Sequence, residues 1–402
     1  MSILVFNAGS SSLKFAVFEA QTCRPFVAGS IDWADGNRRH ALLMLRGEHT
    51  GQLCSRVDVP DDRTAALCAI EALAEANRLE PQPCDAIKVV GHRVVHGGTA
   101  LPGSILIDDR VRQTIADQAE LAPLHNPPTL DVIKAAETAL PGAAQVAVFD
   151  TAFYAHLPPR AYVYPLPYAW YAEWGIRRFG FHGISQQYCA ERAAEMVGRE
   201  LAQLRIVSCH LGGGCSAAAI QGGVAIATTM GFTPMEGLMM GTRCGSIDPG
   251  ILLYLQRRCG LTAAQIDDAL NYHSGLLGVS GVSPDLSKIE VAADQGNPRA
   301  RLAMEMFADR VRSAIGSLAV TMGGVDVLIF TDRVGETSAA LRAAACVGLE
   351  CLGLQLDGTG NAACRPDADI AATQSSARIL VIHTREELMI AREAWRVADL
   401  RK

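Results

Sequence analysis

Small, hydrogen-bonding residues are concentrated at Asn7–Ser12, inside the stretch ILVFNAGSSSLKFAVF that runs from Ile3 to Phe18. Gly9 admits unusual backbone angles, Ser10, Ser11 and Ser12 bring hydroxyls, and Lys14 follows close behind. A turn with unshielded backbone N–H groups, hydroxyls and one cation can cradle a phosphate. An ordinary Gly/Ser hairpin is the alternative, and the stretch fits neither the Walker pattern nor a GxGxxG loop. A second such turn lies in RIVSCHLGGGCSAAAI, Arg205–Ile220, with Gly212, Gly213 and Gly214 where the first has serines.

Both turns need strands to hold them. Ile3–Phe6 and Leu13–Phe18 are rich in β-branched and aromatic residues, which predicts a hairpin, and Arg205–Ile220 repeats the plan with a third strand at Val224–Thr229. The first half continues strand-like to about Val59, with a polar turn at Asp35–Arg39. Asp61 or Asp62 can cap a helix to about Arg78 with Leu67, Ile70 and Leu73 on its apolar face. Ile87–Val90 reads as a short buried strand running into GHRVVHGG, and Asp109–Leu121 reads as a helix. Asn126 and its prolines suit the start of another, and Gln145–Phe149 is a strand ending in Asp150. In the second half a long helix spans about Pro298–Met322, capped by Asn297, and Val325–Thr331 is a strand leading through DRVGETS into a helix. Thr384 and Glu387 have the spacing of a capping box for the last helix. Strands alternating with helices indicate an α/β fold. Two facing turns on duplicated domains make an interdomain cleft the expected ligand site.

At 402 residues, two domains are the default. Apolar residues at 49% and charged residues at 19% describe a globular chain with a large core. A net charge of −6 gives no general attraction to nucleic acid or an anionic membrane. The one long uncharged run, Ile206–Met235, is interrupted by glycine, serine and threonine, so strands and turns fit it better than a membrane span. The N-terminus enters a strand with no signal-peptide core. Twelve cysteines without CxxC pairs or zinc spacing suggest free thiols and a cytoplasmic location.

Taken in order, NAGSSSLKF (Asn7–Phe15), GHRVVHGG (Gly91–Gly98), VFDTAFY (Val148–Tyr154), FGFHGIS (Phe179–Ser185), HLGGG (His210–Gly214), GFTPMEGLMMGTR (Gly231–Arg243) and EELMIAR (Glu386–Arg392) resemble the acetate kinase family, which includes propionate kinases. The resemblance spans essentially the whole chain. It implies the duplicated α/β fold of acetate and sugar kinases, actin and heat-shock ATPases. It divides the chain into an N-terminal domain over 1–150, with the final helix of about 386–402 packing back on it, and a nucleotide-binding and dimerisation domain over 151–385. It further implies a cytoplasmic homodimer that transfers a phosphoryl group reversibly between ATP and acetate or another short-chain carboxylate, with Mg²⁺ or Mn²⁺.

Phosphoryl transfer needs in-line alignment and positive charge around the migrating group. The resemblance puts Arg93 and Arg243 on acetate and the transferring phosphoryl, and gives His182 the transition-state charge. His125 and His210 match further active-site positions. Asp150 becomes catalytic, and Asn7, Asp150 and Glu386 form the metal shell, although an acidic residue also suits a helix start for its own sake. Val95, Leu124 and Pro234 line the acceptor pocket, with core packing as their alternative. One methylene there is worth about 1–3 kcal/mol, so acetate and propionate are hard to separate. Ser10, Ser12, Lys14, His210, Gly212, Gly213, Gly214, Asp285, Arg333 and Gly335 belong to the nucleotide side.

That side is where the chain departs from the family. The usual FTxGIGEN reads Phe330–Thr337, FTDRVGET, with Arg333 replacing a glycine, and SxDFR has lost its arginine while keeping Asp285. Either Arg333 is accommodated and ATP binds, or it fills the adenosine site and a smaller donor such as pyrophosphate is used. A sugar kinase would not require Arg93, and a non-catalytic regulator of the same fold could dispense with Arg93, Asp150, His182 and Arg243, all of which are present.

Overall fold

The computed structural model describes residues 1–9, 12–33, 38–47, 51–79 and 87–399. Its contacts gather into two compact units, Met1–Ala155 with Arg385–Lys402, and His156–Thr384. The first unit is built on one mixed sheet of β1 (Ser2–Ala8), β2 (Ser12–Glu19), β3 (Pro25–Asp32), β4 (Ala41–Gly47), β5 (Gly51–Val57), β6 (Ile87–Val94), β7 (Ile105–Leu106) and β8 (Ala144–Phe149). Their order across the sheet is β5-β4-β3-β2-β1-β6-β8-β7, with β1, β6 and β8 parallel. Its helices are α1 (Asp62–Leu79), α2 (Asp109–Asp117), α3 (Asn126–Ala139) and, from the end of the chain, α15 (Glu386–Asp399).

The second unit carries α4 (Pro159–Tyr162), α5 (Tyr168–Trp174), α6 (Gly183–Val197), α7 (Gly250–Cys259), α8 (Ala263–Tyr272), α9 (Gly275–Ser280), α10 (Leu286–Asp294), α11 (Pro298–Thr321), α12 (Asp332–Thr337), α13 (Ala339–Cys346) and α14 (Gly358–Ala362). Its sheet, β9 (Arg205–Leu211), β10 (Cys215–Gln221), β11 (Val224–Thr228), β12 (Val327–Thr331), β13 (Ala368–Asp369) and β14 (Arg378–Ile382), has the order β11-β10-β9-β12-β14-β13. The run β3-β2-β1-β6-β8 in one unit is therefore repeated as β11-β10-β9-β12-β14 in the other, with the same strand directions.

The period of two along β1 explains how a central strand is buried on both faces. Leu4, Phe6 and Ala8 join the core under α1 and α3, together with Phe15, Val17 and Val90. Ile3, Val5 and Asn7 take the opposite face, which α15 covers. Gly91 on β6, the partner of Val5, lets α15 come close, since a Cβ there would stand 2.9 Å from Ile390.

Several elements differ from expectation. Strand β6 continues past Val90 through Arg93, because its far end pairs with β8 on one side and β1 on the other. Helix α2 stops at Asp117 rather than Leu121. The buried face of α1 is Leu73, as expected, with a row of alanines, Ala65, Ala66, Ala69 and Ala76, while Leu67 and Ile70 are only half-buried. Asp61 does accept from the Thr64 amide at the start of α1, at 2.7 Å. Thr384 and Glu387 form no capping box, because the Thr384 hydroxyl pairs with Ser185 and Glu387 accepts from Asn7. DRVGET is itself helical, as α12, and Ser338 caps the next helix, α13. Ile206–Met235 is three strands and turns, and no described helix is long and apolar enough to cross a membrane. Asn297 caps α11 as expected, accepting from the amides of Arg299 and Ala300. The turn at Asp35–Arg39 lies largely outside the described residues, as do Ser10 and Ser11.

Candidate active site

The ends of parallel strands are where open α/β sheets place their chemistry, and register alone decides what meets there. In the first unit, Phe6 pairs with His92 and Arg93 with Val148. One step beyond the first pair and two beyond the second, Asn7, Arg93 and Asp150 share one face at the ends of β1, β6 and β8. Asp150 is fully buried, and Arg93 grips it in a bidentate arrangement, Nη2 at 2.6 Å and Nε at 3.2 Å from Oδ2. Arg93 Nη1 also donates to Asn7 Oδ1 at 3.2 Å. The Asn7 amide then donates to Glu386 at 2.9 Å and to Glu387 at 3.0 Å, in the first turn of α15. Burial alone would lower the Arg93 pKa, but Asp150, with Glu386 and Glu387 behind Asn7, overcomes that and holds it above its ordinary value.

Three carboxylates around one guanidinium leave this cluster negative. Its oxygen donors are those a hard divalent cation takes, so the group fits Mg²⁺ or Mn²⁺. Glu387 was not foreseen in this shell, although it stands beside Glu386 in the same helical turn.

In the second unit the corresponding strand ends carry different chemistry. His210 on β9 pairs with Thr331 on β12, which pairs with Ile382 on β14, and Thr384 follows two residues later. His210 Nδ1 is hydrogen-bonded to the Ser185 hydroxyl at 2.9 Å, and Ser185 is bonded to Thr384 at 2.8 Å. His210 Nε2 lies 3.2 Å from the Asp332 carboxylate. His182, in left-handed backbone (φ 58°) just ahead of α6, stacks on the His210 ring at 4.2 Å between centroids.

The three glycines of the Leu211–Cys215 turn play separate parts. A Cβ on Gly212 would collide with the Asp332 carboxylate. One on Gly214 would stand 2.6 Å from Arg243 Nη2 and 3.1 Å from His182 Nε2, whereas the space at Gly213 is open. Gly212 and Gly214 thus let charged groups lie against bare backbone. The loop bearing Arg243 is tied to this turn by the Gly241 amide on the Gly213 carbonyl, at 3.2 Å. Arg178 braces the same loop, donating to the Thr229 and Met230 carbonyls at 2.8 and 2.9 Å and to Glu236 at 2.6 Å.

Arg243 itself donates to the Pro234 carbonyl and has no ion-pair partner among the described residues. Though water reaches part of the side chain, protein surrounds its charge, and this burial pushes its pKa down, with Cys215 acting against the shift. Cys215 cannot serve as a counter-charge: burial drives its thiol up to about 12, against the opposing pull of Gly212 and Arg243. Removing a charge from water without a partner is costly, so this guanidinium is set to receive an anion.

The remaining expected residues are more scattered. Ser12 opens β2, and its carbonyl accepts from the Gly9 amide at 2.8 Å. Lys14 lies across the strand pair from Asn7 with its side chain exposed. Val95 is buried just past β6, Leu124 is 39% exposed in the turn before α3, and His125 precedes α3 with no side-chain cap. Arg333 extends to Asp285 at 3.2 Å and is 60% exposed. Burial would raise the Asp285 pKa, but hydrogen bonds from Ser287 and the charge of Arg333 hold it below the usual carboxylate range. Gly335 is buried inside α12, where its carbonyl accepts from the buried Arg342 at 2.8 Å. Asp332 and Ser185 were not foreseen. Asp332 was visible beside Arg333, but nothing local in FTDRVGET says that its carboxylate turns back to His210.

The profile of the Acetokinase family matches residues 2–392. The chain is 49% identical to the acetate kinase of a Cyanothece species, over 99% of this chain and 98% of that one. In fold it is similar to the crystal structure of Porphyromonas gingivalis acetate kinase, with a TM-score of 0.87 and 39% identity over 99% of each chain. It is also similar to a propionate kinase from Francisella tularensis, with a TM-score of 0.89 and 34% identity over 98% of this chain and 99% of that one. By this match along nearly its whole length, the chain belongs to the acetokinase family, phosphotransferases whose acceptor is a carboxyl group.

Proposed function

We propose that the protein transfers the terminal phosphoryl group of ATP reversibly to acetate, giving acetyl phosphate and ADP. The observation that carries this reading is Arg243, a guanidinium enclosed by protein, without a carboxylate partner among the described residues and beside His182 and a glycine turn. A phosphoryl group in transfer spreads negative charge over its outer oxygens, and preorganised cations stabilise that charge without reorganising. In this reading Arg243 and His182 hold the phosphoryl. Arg93 receives the acetate carboxylate, with Asp150 and Asn7 fixing its plane. Val95, Leu124 and Pro234 shelter the methyl group. Asn7, Asp150 and Glu386 hold Mg²⁺ or Mn²⁺, which when bound offsets phosphate charge. Ser10, Ser12, Lys14, His210, Gly212–Gly214, Asp285, Arg333 and Gly335 serve the donor.

Pyrophosphate as donor is the second reading, raised by Arg333. Its guanidinium reaches outward to Asp285, which favours ATP. The protein is further proposed to act as a cytoplasmic homodimer through the second unit, where α5 and α7 expose Tyr168, Trp174, Leu253 and Tyr254. The test is hydroxylamine trapping of the acyl phosphate formed from acetate and Mg²⁺ with either ATP or pyrophosphate. Hydroxamate with ATP is the expected result. Hydroxamate with pyrophosphate alone would replace the donor, and none with either would overturn the reading.

A further inference from the structure

In the second unit two non-glycine residues occupy the left-handed region, His182 at φ 58° and Asp332 at φ 63°, and both lie against the His210 ring. Such backbone is unfavourable for a residue with a Cβ and persists where surrounding contacts hold it. For Asp332 those contacts are visible. Its carboxylate lies over Gly212, in the space a Cβ would need, and reaches His210 Nε2 at 3.2 Å.

For the neutral ring, a proton on Nε2 faces the Asp332 carboxylate 3.2 Å away and leaves Nδ1 to accept from the Ser185 hydroxyl at 2.9 Å, with Thr384 2.8 Å from Ser185. An acid, an imidazole and a serine in a row invite comparison with a nucleophilic triad. Ser185, however, is fully buried, so its hydroxyl orients the ring rather than attacking a substrate.

We infer that Asp332 is a positioning residue of the donor side: it fixes the tautomer and plane of His210, which through its stack sets His182 beside Gly214 and Arg243. This deepens the phosphotransferase reading and rests on it. A change at 332 acts through two rings and should reach turnover more than acetate binding, since Arg93, the residue proposed to receive the acetate carboxylate, belongs to the other unit.

The test compares Asp332→Gly and Asp332→Asn with the wild type, in turnover and in the ¹⁵N spectrum of histidine-labelled protein. Glycine suits the left-handed backbone, so Asp332→Gly should melt no lower than the wild type. Its kcat should nonetheless fall about tenfold or more with KM for acetate unchanged. Asp332→Asn keeps an acceptor oxygen for Nε2–H and should remain within about threefold of wild-type kcat. The His210 signals should report the Nε2–H tautomer in the wild type and Asp332→Asn, and a mixture in Asp332→Gly. Wild-type kcat in Asp332→Gly, or an unaltered His210 tautomer, would overturn the inference while leaving the function standing. A wild type without turnover on ATP and acetate would instead defeat the function, and the ¹⁵N comparison would then decide the role of Asp332 alone.

Discussion

The two units carry the same strand order, yet the groups at equivalent strand ends are opposed in character. Asn7, Arg93 and Asp150 stand in the first unit where His210, Thr331 and Thr384 stand in the second. In the first, the charges sit on the sheet itself, and the guanidinium is paired before any ligand arrives. In the second, the strand ends are an imidazole and two hydroxyls, and the charges, Arg243 and Asp332, come from a loop and from the residue just past a strand. Duplication therefore supplies a frame rather than a chemistry. A salted-in arginine is rigid and oriented, which suits a small carboxylate. An uncompensated one retains its attraction for an anion, which suits a phosphoryl group.

The largest test of this contrast is stability on losing each arginine. Arg93→Ala strands the buried Asp150 and should destabilise the first unit by about 3–5 kcal/mol while abolishing turnover. Arg243→Ala removes a charge that had no partner, so its stability in urea should stay within about 1 kcal/mol of wild type although turnover falls about 10²–10³-fold. Equal destabilisation by the two would erase the distinction.

A somewhat smaller effect concerns His92, which lies beside Arg93 on the strand and is fully buried against Gln145, at 2.8 Å. Burial pushes its pKa down from 6.5 to about 4, with Gln145 opposing. The folded ring is thus neutral where the unfolded one takes up a proton. Stability from this group is full above pH 6.5 and is lost as pH falls towards 4, about 3 kcal/mol across that window. Urea unfolding of the wild type and His92→Gln over this range should show the loss in the former only. Parallel curves would mean that His92 is not the group responsible.

The smallest predicted effect separates neighbours in the second turn. Gly214→Ala pushes a methyl against Arg243 and His182 and should lower kcat about tenfold. Gly213→Ala meets open space and should stay within about twofold. Comparable losses at both positions would show that the glycines act only through backbone freedom.

Local pattern was enough to read the hairpins, the α/β alternation and the duplicated turns, because β-branched runs and small-residue turns are short-range signals. The motifs containing Arg93, Asp150, His182 and Arg243 were legible because each is dense and in order. What escaped depended on long-range register. The continuation of β6 to Arg93 is enforced by strands far away in sequence. The pattern of Thr384 and Glu387 promised a capping box, but Ser185 and Asn7 use those side chains instead. Asp332 is the sharpest case, since only the close packing of α12 against β9 turns an unremarked aspartate into the partner of His210.

In the proposed reaction the substrate phosphoryl supplies the counter-charge that Arg243 lacks. The most direct measurement is the rise in melting temperature on adding acetyl phosphate, compared between the wild type and Arg243→Ala. A ligand that binds only the folded state stabilises it with the logarithm of its affinity, so a clear rise is expected in the wild type that is largely lost in the variant. An equal rise in both would contradict it.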